Sequence, residues 1–469
     1  MAFWNRRKSL ESVSARETHS ALRPTLSWIH LVCLGIGGIV GTGIYTLIGV
    51  GAGLAGPAVI ISFVVAGLVC ACAALAYTEM STMMPMAGSA YTYSYVALGE
   101  LPAWFVGWTL ILEYTVVCSV VAVGWSGYAG GFILSLGLDV PKALLAGPAA
   151  GGVINLPAIV ISLAVAGLLA AGSRESATVN MILVFVKLLA LATFIALAIP
   201  AFDVGNFEPF APHGFGANEV DGAKYGMMGA AALIFFAFYG FDAVSTAAEE
   251  TKNPGRDLKI GIIGSMVACT LIYMVVATAA IGSTRTDVLA ASSEPLAMVL
   301  RNLEHPVAAR WIGFAAIIAL PTVIMAFMYG QSRIFFVMAR DGLLPQRLSV
   351  VSEKSGTPVL MTMITGVIVA IMAGFLPLQR IAEVANAGTL VAFIAVAICM
   401  LVLRNKAPTA PRPFRTPAAT TVAAAAIIGC AYLFNSLPSV TKTTFVIWNA
   451  IGIAVYFIYA RFQSALARA

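Results

Sequence analysis

Residues 34–45 read LGIGGIVGTGIY, with glycine at positions 35, 37, 38, 41 and 43 of one apolar run. Glycine inside a helix costs roughly 1 kcal/mol relative to alanine. The stretch therefore predicts a membrane helix that is broken near its middle. A second defect, Phe238-Tyr239-Gly240-Phe241-Asp242, interrupts a later apolar run. Working outward from these two, apolar runs of about 20 residues recur along the whole chain. Twelve are read, near 28–54, 57–83, 101–134, 153–171, 177–200, 224–250, 259–283, 308–335, 357–376, 381–403, 418–437 and 443–461. The broken runs are the first and the sixth. They lie five apart, so the second begins in the opposite orientation, as in inverted-repeat carriers whose first helices unwind around a midplane site. Non-helical backbone at that depth survives only inside protein or beside a water-filled cavity. Close helix packing through small residues is the plainer account of one glycine-rich span, and a weaker account of two at corresponding positions.

Composition demands lipid as solvent. Of 469 residues, 60% are hydrophobic and only 10% charged, and mean hydropathy is +0.92. A soluble domain carries about 25% charged residues. With the N-terminus in the cytoplasm, nineteen lysines and arginines fall on the inner side and seven on the outer, with one inside a span. That bias predicts cytoplasmic N- and C-termini of a multi-pass plasma-membrane protein. The polar first 27 residues argue against a cleaved signal peptide.

Several chemistries are excluded. The net charge of +6 is modest and forms no basic stripe with interleaved aromatics, so nucleic acid is not an expected partner. Cys33, Cys70, Cys72, Cys118, Cys269, Cys399 and Cys430 lie in apolar stretches, which gives no disulfide framework. The four histidines are scattered, and no metal site assembles from them. Gly51-Ala-Gly53-Leu-Ala-Gly56 fits the dinucleotide pattern but lacks its strand–turn–helix setting. No P-loop, HExxH, nucleophile elbow or paired catalytic carboxylates occur, so neither an enzyme nor a cofactor is expected.

Leaving aside the two residues at each span end, the acidic and lysine residues within the spans are Glu79, Glu113, Lys187, Asp242 and Glu383. A charge at a helix centre costs about 2.5–3.5 kcal/mol on insertion scales, so each is a functional candidate. Glu79 and Glu383 lie near span ends, where snorkelling or a helix-terminal role accounts for them. Lys187 lies about ten residues into its span, with no acid within a turn. Desolvation disfavours its ammonium form, which suits a proton carrier. Asp242 sits at the second break and Glu113 sits mid-span in WTLILEY. The broken helices offer carbonyls to an ammonium, and the amides at Gly41, Thr42 and Gly43 offer a carboxylate site. Donors on one side and acceptors on the other suit a zwitterion, hence an amino acid.

These motifs resemble the amino acid–polyamine–organocation transporters, and among them the bacterial cationic amino acid transporter-like group. The likeness covers residues 25–461 and rests on several stretches in order. They are GIGGIVGTGIY at 35–45, PMAGSAYTYSY at 85–95, WTLILEY at 108–114, FFAFYGFDAVSTAAEETKNP at 235–254, YGQSRIFFVMARDGLLP at 329–345 and PRPFRTP at 411–417. The resemblance implies an all-α integral membrane protein of twelve transmembrane helices, a five-plus-five inverted repeat with two C-terminal helices. It divides the chain into a tail (1–27), a first repeat (28–200), a second repeat (201–403) and a closing pair with a short C-terminus (404–469). It implies that Gly41, Thr42 and Gly43, with Ile39 and Val40, bind the substrate carboxylate. The amine would meet carbonyls near Ile36 and around Phe236, Ala237 and Phe238, beside Gly240. Phe236, backed by Phe235, would cap the site. Lys187 would occupy the space of a sodium site in related carriers, so a proton is the expected coupling ion and sodium is disfavoured. Glu113 matches an acid kept in the group. Beyond Glu113 and Asp242 no acidic pocket is evident, and the eighth span, ALPTVIMAFMYGQ, is bulky and apolar. Small neutral amino acids are therefore expected over basic ones. Proton symport is the leading reading; exchange, a cationic substrate and a small accessory membrane protein stay open.

Overall fold

The computed structural model describes residues 6–9, 26–86, 88–138, 140–172, 177–248, 251–350, 352 and 358–468. Helices dominate. Up to residue 455 the α-helices are, in chain order, α1 (Trp28–Ile39), α2 (Thr42–Tyr45), α3 (Leu47–Ala55), α4 (Val59–Met83), α5 (Ser89–Ala97), α6 (Glu100–Ser135), α7 (Leu156–Ala170) and α8 (Ala177–Ala198). A short hairpin, β1 (Asn218–Val220) and β2 (Ala223–Tyr225), precedes α9 (Met227–Ile234). Then follow α10 (Phe241–Thr246), α11 (Pro254–Ser283), α12 (Thr286–Ala290), α13 (Pro295–Asn302), α14 (Pro306–Arg340), α15 (Val359–Phe375), α16 (Leu378–Lys406), α17 (Ala419–Asn435) and α18 (Ser439–Val455).

Among the described residues, eight helical stretches are long and apolar enough to cross a membrane, and four apolar helices are shorter. Lipid supplies no hydrogen bonds, so helix is the form in which these segments satisfy their own backbone. The sequence reading missed the hairpin and the short helices α5, α12 and α13. Polar or turn residues flank these pieces, and none is long enough to give a periodic signal.

The helix α6 is the hub, buried along most of its length and packed against α14, α16, α15 and α7. Its indoles fasten α18. Trp108 Nε1 donates to the Trp448 carbonyl at 2.9 Å and Trp448 Nε1 returns a bond to the Trp108 carbonyl at 3.0 Å. Their rings stack at 4.9 Å. The long helix α14 contains Pro321, which has no N–H to give the carbonyl of Ile317 one turn earlier. Trp125 Nε1 of α6 donates to that carbonyl at 2.8 Å. The imperfection in α14 is thereby satisfied from its neighbour.

Candidate functional site

The first apolar run stops being helical where its glycines predict. α1 ends at Ile39, Val40 is extended, and Gly41 starts a new short turn, α2. The second break, between α9 and α10, is a 3-10 turn, Phe235–Ala237, followed by non-helical residues 238–240. The two breaks touch through backbone. A Cβ on Gly43 would lie 2.4 Å from Ala237 Cα, and one on Gly240 would lie 2.7 Å from the Gly38 carbonyl carbon. Gly240 also has φ +123, a conformation that side chains disfavour. Glycine at 43 and 240 is thus what lets two interrupted helices meet at their interruptions.

The expected residues collect around this contact, all buried. Ile36, Ile39, Val40, Thr42, Phe235, Phe236, Ala237, Phe238 and Asp242 are each at most 7% exposed. Against Gly41 stand Val323 and Leu320 of α14, at 3.5 and 3.9 Å from a Cβ placed there. The Thr42 and Thr46 hydroxyls are buried without hydrogen-bond partners among the described residues. Phe236 packs edge-on to Tyr239 at 4.9 Å, while Phe235 turns to Phe393 at 5.7 Å. Of the two aromatics, Phe236 keeps the larger exposed fraction.

Two carbonyls at the first break already accept from side chains. Lys187 Nζ donates to the Gly37 carbonyl at 2.9 Å. The Tyr273 hydroxyl donates to the Ile39 carbonyl at 2.6 Å, while the Ile36 carbonyl keeps its in-helix bond from the Val40 amide at 2.7 Å. Lys187 is 1% exposed, and its helix α8 packs on α1. The lysine singled out by depth in its span therefore grips the broken helix just before the break.

The two acids part company. Asp242 accepts from the Tyr114 hydroxyl at 2.8 Å and from the Gly240 amide at 3.1 Å, so its carboxylate braces the second break. Glu113 is 1% exposed and packs on Gly388 of α16, and its Oε2 has no hydrogen-bond partner among the described residues. Glu79 does not snorkel. It is 1% exposed and paired with Arg404 at 2.6 Å. Glu383, also buried, accepts from Thr441 at 3.0 Å and Gln379 at 2.9 Å.

Two polar residues of the site were not anticipated. Asn386 of α16, fully buried, donates to the carbonyls of Ala232 and Leu233 at 2.7 and 2.9 Å. It thereby holds the end of α9 at the break. Tyr239, inside the second break, keeps a buried hydroxyl without a hydrogen-bond partner among the described residues. A search that counted uncharged polar residues in the spans would have found Asn386.

A family model described as an amino acid permease matches residues 26–459, nearly the whole described bundle. The chain belongs to the amino acid permease family. Within the amino acid–polyamine–organocation superfamily, this permease is similar to the branched-chain amino acid permease BcaP of Bacillus subtilis, 42% identical over 466 residues and 98% of each chain. The methylthioribose transporter of the same organism is 41% identical over 464 residues, again 98% of each chain. The mitochondrial cationic amino acid transporter 3 of Arabidopsis thaliana is 37% identical over 415 residues, 86% of this permease and 66% of that chain. Family, relatives and apolar helices together make this permease a multi-pass membrane protein of amino acid transport.

Proposed function

We propose that this permease imports a neutral L-amino acid, small or branched aliphatic, across the plasma membrane by alternating access with a proton carried on Lys187. The observation that carries the coupling is the Lys187 bond to the Gly37 carbonyl, at 2.9 Å. An ammonium donor holds the end of α1; loss of its proton weakens that hold and frees the broken helix to move. One titrating group thus biases the element that grips substrate. No cofactor is invoked, and the proton stands where related carriers use sodium.

In this reading the substrate carboxylate lies against the amides of Gly41, Thr42 and Gly43 with the buried Thr42 hydroxyl. The amine faces the carbonyl ends around Phe235–Phe238 and near Ile36. The side chain points toward Leu320, Val323 and Phe236, and this apolar wall favours neutral substrates. The meeting of two breaks supports twelve crossings arranged as a five-plus-five inverted repeat with two further helices. A second reading, a cationic substrate, is favoured by one observation, the buried Glu113 Oε2 without a hydrogen-bond partner among the described residues.

Uptake into proteoliposomes tests both. Labelled alanine and leucine should accumulate when an inward proton gradient is imposed, in empty as well as preloaded vesicles. Lys187→Ala should lower gradient-driven uptake by about tenfold, the value of one charge-assisted buried bond. Uptake indifferent to both the gradient and the substitution would refute the role of Lys187. Competition by arginine and lysine alone would install the cationic reading, and dependence on preloading would mark an exchanger.

A further inference from the structure

At one face of the bundle the segment around residues 6–8 is held in a receptacle built by four distant parts of the chain. Arg6 Nη1 donates to Glu100 Oε1 at 3.1 Å and to the Arg461 carbonyl at 2.7 Å. The Arg6 carbonyl accepts from the Glu100 amide at 2.9 Å. Lys8 Nζ donates to Asp341 Oδ2 at 2.6 Å and lies 4.8 Å from the Tyr95 ring centroid. Both acids are buried, Glu100 at 1% and Asp341 at 4% exposure. Each is also tied to α5, Glu100 by the Tyr95 hydroxyl at 2.9 Å and Asp341 by the Tyr91 hydroxyl at 2.7 Å. Glu100 accepts in addition from Tyr456 and Ser464 near the C-terminus. The receptacle thus offers two desolvated carboxylates and a cation–π face, a combination that selects a short basic segment over a neutral one.

The receptacle leads to the candidate site. α5 carries Tyr91 and Tyr95 at the receptacle and, at its first residue, Ser89, whose hydroxyl bonds that of Ser245 on α10 at 3.0 Å. α10 begins at the second break, where Asp242 and Gly240 are joined. The path from Lys8 runs through a part-buried bond to Asp341, a buried bond between Asp341 and Tyr91, along α5 to Ser89, and across a buried bond to Ser245.

We propose that residues 6–8 form a basic latch which, docked on Glu100 and Asp341, clamps α5 against α10 and holds this face of the permease closed. Undocking releases α5 and with it the second half of the broken helix. Such a latch gains its meaning from the alternating-access reading, but its test does not depend on transport. Contact alone does not establish coupling, so the test must read the far end of the path.

Amide exchange followed by mass spectrometry on the full-length protein in detergent reads that end. The double substitution Arg6→Ala/Lys8→Ala should speed exchange at least about fivefold over both 89–97 and 241–248. Lys8→Arg, which keeps the charge, should exchange like the wild type. α15 (residues 359–375) is an internal reference and should not change. Acceleration confined to residues 6–9, or spread equally over α15, would overturn the latch, as would a Lys8→Arg protein as loose as the double variant. A permease that failed to move amino acids yet showed the expected pattern would retain the latch and lose the transport reading. Uptake with an unchanged exchange pattern would do the reverse.

Discussion

Glu79 shows how single residues hold this molecule together. Its carboxylate accepts from Arg404 at 2.9 and 2.6 Å and from the Thr416 amide at 2.8 Å, with Arg412 Nε 3.4 Å away. Arg412 in turn donates to the Leu403 and Ala407 carbonyls, closing the C-terminal end of α16. One acid on α4 therefore fixes both the end of α16 and the loop after it. Removing one partner of a buried pair leaves the others uncompensated, at about 3–5 kcal/mol. Arg404 is 30% exposed and can recover water, so the cost of Glu79→Gln should fall at about 2–3 kcal/mol. The thermal midpoint of the purified protein checks this, and an unchanged midpoint would contradict it. The sequence pointed to Glu79 as a charge in a span but could not name its partners, which come from 325 and 337 residues away. Lys187 was legible because depth in an apolar run isolates a charge. Asn386 and Tyr273 were not, since a neutral polar side chain in a span has no reading until a carbonyl is seen opposite it.

Elements were legible to the extent that apolar length and glycine density are local properties. The predicted interruption of the first span falls at Val40–Gly41, and that of the sixth at Phe235–Gly240. Their mutual contact is tertiary, and no local pattern announces it. This contact yields a prediction about the breaks themselves. Gly240→Ala would combine φ +123 with a Cβ only 2.7 Å from the Gly38 carbonyl carbon. Such a backbone conformation alone costs about 1–3 kcal/mol. The blocking atoms belong to backbone and cannot swing away, so α10 must shift off α1. Uptake by Gly240→Ala should fall at least about tenfold. Its thermal midpoint should fall too, because Asp242 loses the geometry of its bond to the Gly240 amide. Gly41→Ala is the control, since a Cβ there meets only Val323 and Leu320 at ordinary contact distance. Its midpoint should stay near that of the wild type. Equal losses of stability in the two variants would mean that the contact between the breaks is not what constrains Gly240.

For the whole molecule, charge and contact speak to the same question from independent directions. The Arg6 guanidinium reaches the Arg461 carbonyl, and the Ala465 amide donates to the Asp341 carbonyl at 2.9 Å, so the two ends of the chain meet on one face. In the twelve-span reading of the sequence, nineteen lysines and arginines fall on the side of the N-terminus and seven on the other. A positive excess in short loops sets orientation at insertion. The shared face should therefore be cytoplasmic. Fusions separate this from its inverse: a fluorescent protein that folds only in the cytoplasm should glow at either end, and a phosphatase active only outside should be silent at both. Activity of the phosphatase at both ends would invert the molecule while keeping the contact between its ends. Opposite results at the two ends would be incompatible with the Arg6–Arg461 bond itself. The basic segment at residues 6–8 would then stand across the bilayer from the acids that hold it.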